Sequence, residues 1–200
     1  NKKRTIGLAL CVGCIFLGSC AENTMSNWIS TYMENALNID KALGDILGMA
    51  MFAILLGITR ITYAKYGKNI SKFLLVSMIC ASVCYLTVSF SNNTILSFVG
   101  CVLTGIFTAM LWPGTLILME EKVKGVGVAA YALMASAGDF GASLAPQLMG
   151  IVVDNISVSK FALEMSNALN LSPEQIGLKV GMLITSTFPI LGSFLIVDRK

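Results

Sequence analysis

TIGLALCVGCIFLGSCAENTMSNWISTY, residues 5–32, opens as an unbroken apolar run and closes as a string of serines, asparagines and a glutamate. Where the helix within it stops decides what kind of protein follows. If it stops at Cys20, then NKKR, the apolar run and the GSC of residues 18–20 spell a secretory leader with a lipid-modified cysteine. A soluble domain should come next. Instead the chain goes on to further apolar stretches of roughly 20 residues, each long enough to cross a hydrocarbon core of about 30 Å. Residues 5–32 are therefore read as one membrane helix with a polar second half. Ser19, Glu22, Ser26 and Ser30 recur at spacings of three and four, which puts them on one face, and Asn23, Asn27 and Glu34 form an adjacent stripe. An ionisable side chain in mid-membrane costs at least about 2.5–3.5 kcal/mol. This face is expected to meet a neighbouring helix or a water-filled cavity rather than lipid, unless the polar half is a loop.

Composition agrees with the membrane reading. The 200 residues are 56% hydrophobic and 12% charged, whereas soluble domains carry about 25% charged residues. The chain has no histidine, which excludes imidazole metal sites and imidazole general bases. All six cysteines lie in apolar segments, with Cys11 and Cys14 one helical turn apart, and they read as small buried hydrophobes. No metal, cofactor or nucleic-acid partner is expected. No nucleophile–base pair supports an enzyme.

Windows of about 19 residues place six spans, at 5–32, 43–64, 72–90, 94–119, 126–153 and 176–197. Backbone groups in lipid must bond within their own segment, and the alternating decamers of a barrel are absent, so an all-α membrane protein of six helices is predicted. Basic residues set the orientation because they are retained in cytoplasmic loops. One set of loops holds Lys2, Lys3, Arg4, Arg60, Lys65, Lys68, Lys72, Lys122, Lys124, Arg199 and Lys200; the other holds Lys41, Lys160 and Lys179. Both termini are then cytoplasmic, as an even number of spans requires. In the outer loop 154–175, Phe161, Met165 and Leu169 repeat at helical spacing, suggesting either a short helix on the membrane surface or a solvated loop. Ser172, Pro173 and Gln175 offer a capping box and first-turn proline for the last helix.

Four further features stand out. Asp139 lies in ASAGDFGASLAPQLMG near the middle of the fifth span, among small residues that permit close helix approach. Pro146 removes one backbone bond and leaves a place to bend, and Gln147 adds an amide. LWPG, residues 111–114, sets a proline and a glycine deep in the fourth span beside Trp112, a flat surface suited to a sugar ring or to core packing. Trp28 lies towards the outer end of its helix, where it reads as an interfacial anchor or a cavity residue. The link RITYAKYGKNISK after the second span gathers basic residues around Gly67, as expected of a cytoplasmic loop in any membrane protein.

Six spans with both ends inside, a short basic loop after the second, and proline and glycine breaks in the fourth and fifth resemble the C-terminal half, helices seven to twelve, of a major facilitator superfamily transporter. AENTMSNWIS, LGDILGMAMFAILLGITR, LWPGT and AGDFGASLAP look most like fucose permease-type sugar transporters. The superfamily's loop signature is partly matched: with its second glycine on Gly67, Lys65 and Lys68 fall at basic positions, while Arg60 stands where the first glycine belongs and Ala64 where the aspartate belongs. The resemblance implies two inverted three-helix repeats, echoed by Gly44-Asp45 with Gly48 and by Gly138-Asp139 with Gly141. It also implies alternating access at a site shared with an N-terminal six-helix half of the same protein.

Residues 1–200 are thus expected to form the C-terminal transmembrane domain of a secondary transporter in the cell membrane, carrying a small polar solute such as a sugar with protons. Glu22, Asn23, Asn27, Trp28, Trp112, Asp139 and Gln147 are the expected substrate or proton residues, and Arg60, Lys65, Gly67 and Lys68 the gating loop. A complete small membrane protein, using the polar face as an assembly or receptor subunit without transport, is the alternative.

Overall fold

The computed structural model describes residues 2–125 and 127–197. Val126, where the sequence starts the fifth span, and Asn1, Arg199 and Lys200, which bear on the termini, lie outside the described residues. Helix follows helix with short links, and most links end in a polar residue that caps the next helix. Helix α1 (Lys2–Thr31) winds on through a π-helical turn, Tyr32–Ala36. Asp40 then accepts from the backbone N–H groups of Ala42 and Leu43 to start α2 (Lys41–Tyr66), whose segment Gly44–Ala50 is also π-helical. Asn69 caps α3 (Ile70–Phe90) and Asn93 caps α4 (Thr94–Thr108), each taking up a first-turn N–H that has no helical acceptor. After α5 (Pro113–Lys122) come α6 (Val128–Ser157), α7 (Lys160–Leu169) and α8 (Pro173–Val197). The links 67–69 and 91–93 are too short for anything but antiparallel neighbours.

Six helices are long and apolar enough to cross a membrane, α4 and α5 together making the fourth, and the described residues contain no strand. Tertiary contacts exchange partners between the two triads: α1 packs on α6, α4 packs on α2, and the third helices, α3 and α8, pack on each other. Two glycines permit the first two crossings. A Cβ on Gly141 would sit 2.5 Å from the Phe16 carbonyl oxygen, and one on Gly105 would sit 2.5 Å from the Phe52 carbonyl oxygen. The main core runs along α1, α3 and α8, through Met25, Ile29, Leu74, Met78, Tyr85 and Met182. Two phenols pin α3 to its neighbour: Tyr85 donates to the Ala21 carbonyl at 2.5 Å within α1, and Tyr32, just past α1, donates to the Val88 carbonyl at 2.7 Å.

The structure meets the sequence expectation at some places and departs from it at others, at Pro146 and Lys179. The fourth span is broken: residues 109–112 unwind between α4 and α5, with Pro113 opening α5. Pro146 lies inside α6, which continues as helix to Ser157. Residues 160–169 form a helix, ended by Asn170 in the left-handed conformation. Lys179, counted as an outer-loop residue, stands inside α8 and is buried. Five of the cysteines are buried and Cys80 is half-buried. At the start of α8 the capping box forms reciprocally, Gln175 N–H to Ser172 Oγ at 3.1 Å and Ser172 N–H to Gln175 Oε1 at 2.9 Å.

Candidate functional site

The break in the fourth span frees a backbone acceptor. In a continuous helix the Ala109 carbonyl would accept from the N–H of residue 113, but that residue is proline and has none. The orphaned oxygen takes a hydrogen bond at 2.8 Å from Nε of Arg60, which reaches across from α2. The same guanidinium donates through Nη2 to both carboxylate oxygens of Glu22 on α1, at 2.9 and 3.2 Å. This is the one ion pair among the described residues, with the Glu22 side chain 16% exposed and that of Arg60 39%. Arg60 therefore corrects the sequence reading. It was expected in a cytoplasmic gating loop, yet it lies inside α2 and its charge turns into the bundle, where a carboxylate and a free carbonyl satisfy it. The span assigned to 43–64 already enclosed Arg60, and an arginine within an apolar segment was the available signal for a partner of Glu22.

Around this pair the first helix keeps its polar stripe. Asn27 donates to the Asn23 carbonyl at 2.7 Å and Asn23 to the Ser19 carbonyl at 3.0 Å, so each amide is held along the helix. Asn27 is exposed and Asn23 half-buried. Trp28 does not project freely: its indole N–H donates to the Pro146 carbonyl at 3.1 Å, and its ring lies against Gly150, which locks it to α6. Trp112 packs with its indole edge against Gly138 and joins the small core of Cys11, Ile15, Met119, Val123 and Met134. Next to it, Ser19 Oγ is buried and has no hydrogen-bond partner among the described residues. Near the top of α1, Ser30 donates to an Asp45 carboxylate oxygen on α2, a pairing that spacing alone did not reveal.

Asp139, Ser143 and Gln147 stand at successive fourth positions of α6, all exposed. The Ser143 hydroxyl donates to the Asp139 carbonyl at 2.9 Å, and no hydrogen bond or ion pair joins the Asp139 side chain to Glu22 among the described residues. The two carboxylates thus occupy different settings, Glu22 in a bonded cluster inside the bundle and Asp139 on an open face. Both α2 and α6 are little covered by the other helices. A carboxylate and a carboxamide on an uncovered helix face near mid-span are costly to set against lipid.

The family model of the Major Facilitator Superfamily matches residues 2–146, well over half of the chain. This chain belongs to the major facilitator superfamily. Comparison with curated proteins and with solved structures found no match. The protein is accordingly a multi-pass integral membrane protein of a family whose members are transporters rather than enzymes. The superfamily match takes in Glu22, Arg60, Trp112 and Asp139, and Gln147 stands one residue past its end.

At the link corresponding to the superfamily's loop signature, Lys65 lies in the last turn of α2 with its ammonium 5.2 Å from the Tyr66 ring centre. Gly67 closes α2 by donating its N–H to the Tyr63 carbonyl at 2.7 Å. Lys68 borders a cavity of about 440 Å³ with Tyr63, Tyr66 and Phe73. Among the described residues no group of His, Cys, Asp and Glu side chains is arranged to hold a metal ion.

One consequence of the proline break is testable in isolation. Pro113→Ala restores an N–H that bonds the Ala109 carbonyl beside Arg60 Nε, using the oxygen's second lone pair. The helix closes, and the variant is expected to be more stable by about 1 kcal/mol, the net worth of one hydrogen bond, while transport falls. A thermal melt together with an uptake assay checks both.

Proposed function

We propose that residues 1–200 are the C-terminal six-helix half of a secondary active transporter of the fucose permease type, moving a sugar together with protons by alternating access. The N-terminal half of the same protein covers the open faces of α1, α2 and α6, both termini are cytoplasmic, and the membrane is the cell's inner one. The observation that carries this reading is the uncovered polar face of α6, Asp139, Ser143 and Gln147, beside exposed Asn27 of α1. In lipid these groups are unfavourable; against a water-filled path they have solute and solvent to bond.

In this reading Glu22 is the proton-carrying group. Ionised, it holds Arg60, and Arg60 holds the broken fourth span at Ala109. Protonated, it loses most of its attraction for the guanidinium, which leaves the Ala109 carbonyl as the remaining partner of Arg60 and loosens α1 from α2. A proton arriving at Glu22 thereby alters how three spans are tied together. Asn23 and Asn27 supply amide bonds to sugar hydroxyls, Trp28 and Trp112 supply flat apolar walls, and Asp139 and Gln147 contact the solute from α6. Lys65, Gly67 and Lys68 form the turn that gates the cytoplasmic side.

Sugar-induced alkalinisation of the medium by cells bearing the full-length protein tests the proposal. Addition of the transported sugar is expected to draw protons inward, Glu22→Gln to abolish the proton movement while leaving sugar binding, and Asp139→Asn to weaken sugar binding. Wild-type proton coupling in Glu22→Gln would remove Glu22 from the mechanism, and sugar uptake without any proton movement would remove symport.

A further inference from the structure

At the end of the bundle opposite Lys2, a second charged group is buried away from the proposed solute path. Lys179 stands in the early turns of α8 and is 8% exposed. Its ammonium donates to the carbonyl of Ser91, the first residue past α3, and the Ser89 hydroxyl donates in turn to the Lys179 carbonyl at 2.9 Å. The carbonyl end of a helix offers a cation only partial negative charge. No carboxylate lies within ion-pair distance of Lys179 among the described residues, where Arg60–Glu22 is the one such pair. A buried ammonium has three donors, and the recorded bond uses one.

Lys179 also lines a cavity of about 310 Å³ between α3, α7 and α8. Ser89 and Asn92 border it beside Lys179, and the remaining walls are apolar. Phe161, Met165 and Leu169, one turn apart along α7, form one side, with Phe90 and Leu183 opposite them. None of the lining residues belongs to α1 or α6, so the cavity is separate from the polar face described above. Its location at helix ends, under a short amphipathic helix, is where lipid headgroups meet acyl chains.

We infer that this cavity is a binding site for one anionic phospholipid, its acyl chain lying along Phe161, Met165 and Leu169 and its phosphate on the Lys179 ammonium. Charge complementarity selects the occupant. A sugar would leave the apolar walls unused, a free inorganic anion would gain nothing from them, and a zwitterionic lipid would bring its own cation to a site that already holds one. A phosphate with a single negative charge neutralises Lys179 and uses its spare donors, while the chain fills the volume between the three helices.

Native mass spectrometry of the full-length protein, exchanged into equal phosphatidylglycerol and phosphatidylcholine, reads the site directly. The wild type is expected to retain phosphatidylglycerol in preference to phosphatidylcholine by about fivefold, the factor that one basic residue near an anionic headgroup supplies. Lys179→Gln keeps a donor for the Ser91 carbonyl but no charge, and should lose the preference; Lys179→Arg should keep it. Phe161→Ala, at the cavity wall, should release both lipids more readily without changing their ratio, and serves if the lysine variants fold poorly. An unchanged lipid ratio in Lys179→Gln, or undiminished retention in Phe161→Ala, overturns the inference. Displacement of the lipid by millimolar glycerol phosphate would also overturn it, assigning the site to a soluble anion.

Discussion

Arg60→Gln is expected to destabilise the protein by about 2 kcal/mol, and Glu22→Gln by a similar amount, while the double variant recovers most of the loss. Removing one member of a buried ion pair strands the other charge, which costs about 3–5 kcal/mol when both are fully buried. Here the Arg60 side chain is 39% exposed, so water screens part of that penalty and the expected figure is lower. Arg60→Gln has a second consequence. The Ala109 carbonyl, already without a helical donor because of Pro113, loses its side-chain donor too. The double variant removes both charges and leaves only that carbonyl to be satisfied. A double-mutant cycle on the purified full-length protein, followed by chemical or thermal denaturation, measures the coupling. Additive single effects would mean that the pair contributes nothing as a pair.

Gly141→Val is the second change with a large expected effect. The α1–α6 crossing brings the Phe16 carbonyl oxygen to within 2.5 Å of where a Cβ would stand, with Cys20 Sγ and the Phe16 ring at 3.2 Å. The obstruction is helix backbone, which cannot swing aside as a side chain does. Restoring contact distance requires the two helices to part along their length. That loosens the Phe16–Phe140 ring stack, with centroids 6.0 Å apart, and the Trp28 bond to Pro146. Overpacking of this kind costs about 3 kcal/mol or more. Gly57→Val is the control, because nothing lies within 4 Å of that position. The two variants should differ sharply in melting temperature; equal melting would show that the crossing tolerates a side chain.

How far the sequence carried the structure depends on the kind of signal. Helix number and class were legible because they rest on length and hydropathy, which the apolar runs state plainly. The Ser172–Gln175 cap was legible because a capping box is a local motif, and both of its hydrogen bonds form. The break in the fourth span was legible from Pro113, since a missing N–H is a property of one residue. The partner of the carbonyl it frees was not. Arg60 and Ala109 are 49 positions apart and Arg60 and Glu22 are 38 apart, and no local rule links them. Assigning Arg60 to a loop followed from counting charges by nearest span end. Lys179 was misplaced for the same reason, since a lysine close to a predicted span end looks like a loop residue until the α3 terminus is seen to receive it. Trp28 and Trp112 show the converse limit. Their positions left a cavity wall, an interfacial anchor and core packing open, and the fold supplies the partners on α6 and around Met134 that hold both.

The central claim is that the uncovered polar face of α1 and α6 borders water rather than lipid. Single cysteines at Asn27, Ser143 and Gln147, placed in full-length protein whose native cysteines have been replaced, can be challenged with a membrane-impermeant thiol reagent. Val76 and Val83, exposed apolar positions of α3, supply the comparison. The account predicts labelling at the three polar positions, changed in rate by the transported solute, and none at the two valines. Labelling absent at Asn27, Ser143 and Gln147, or equal at all five positions, would contradict it.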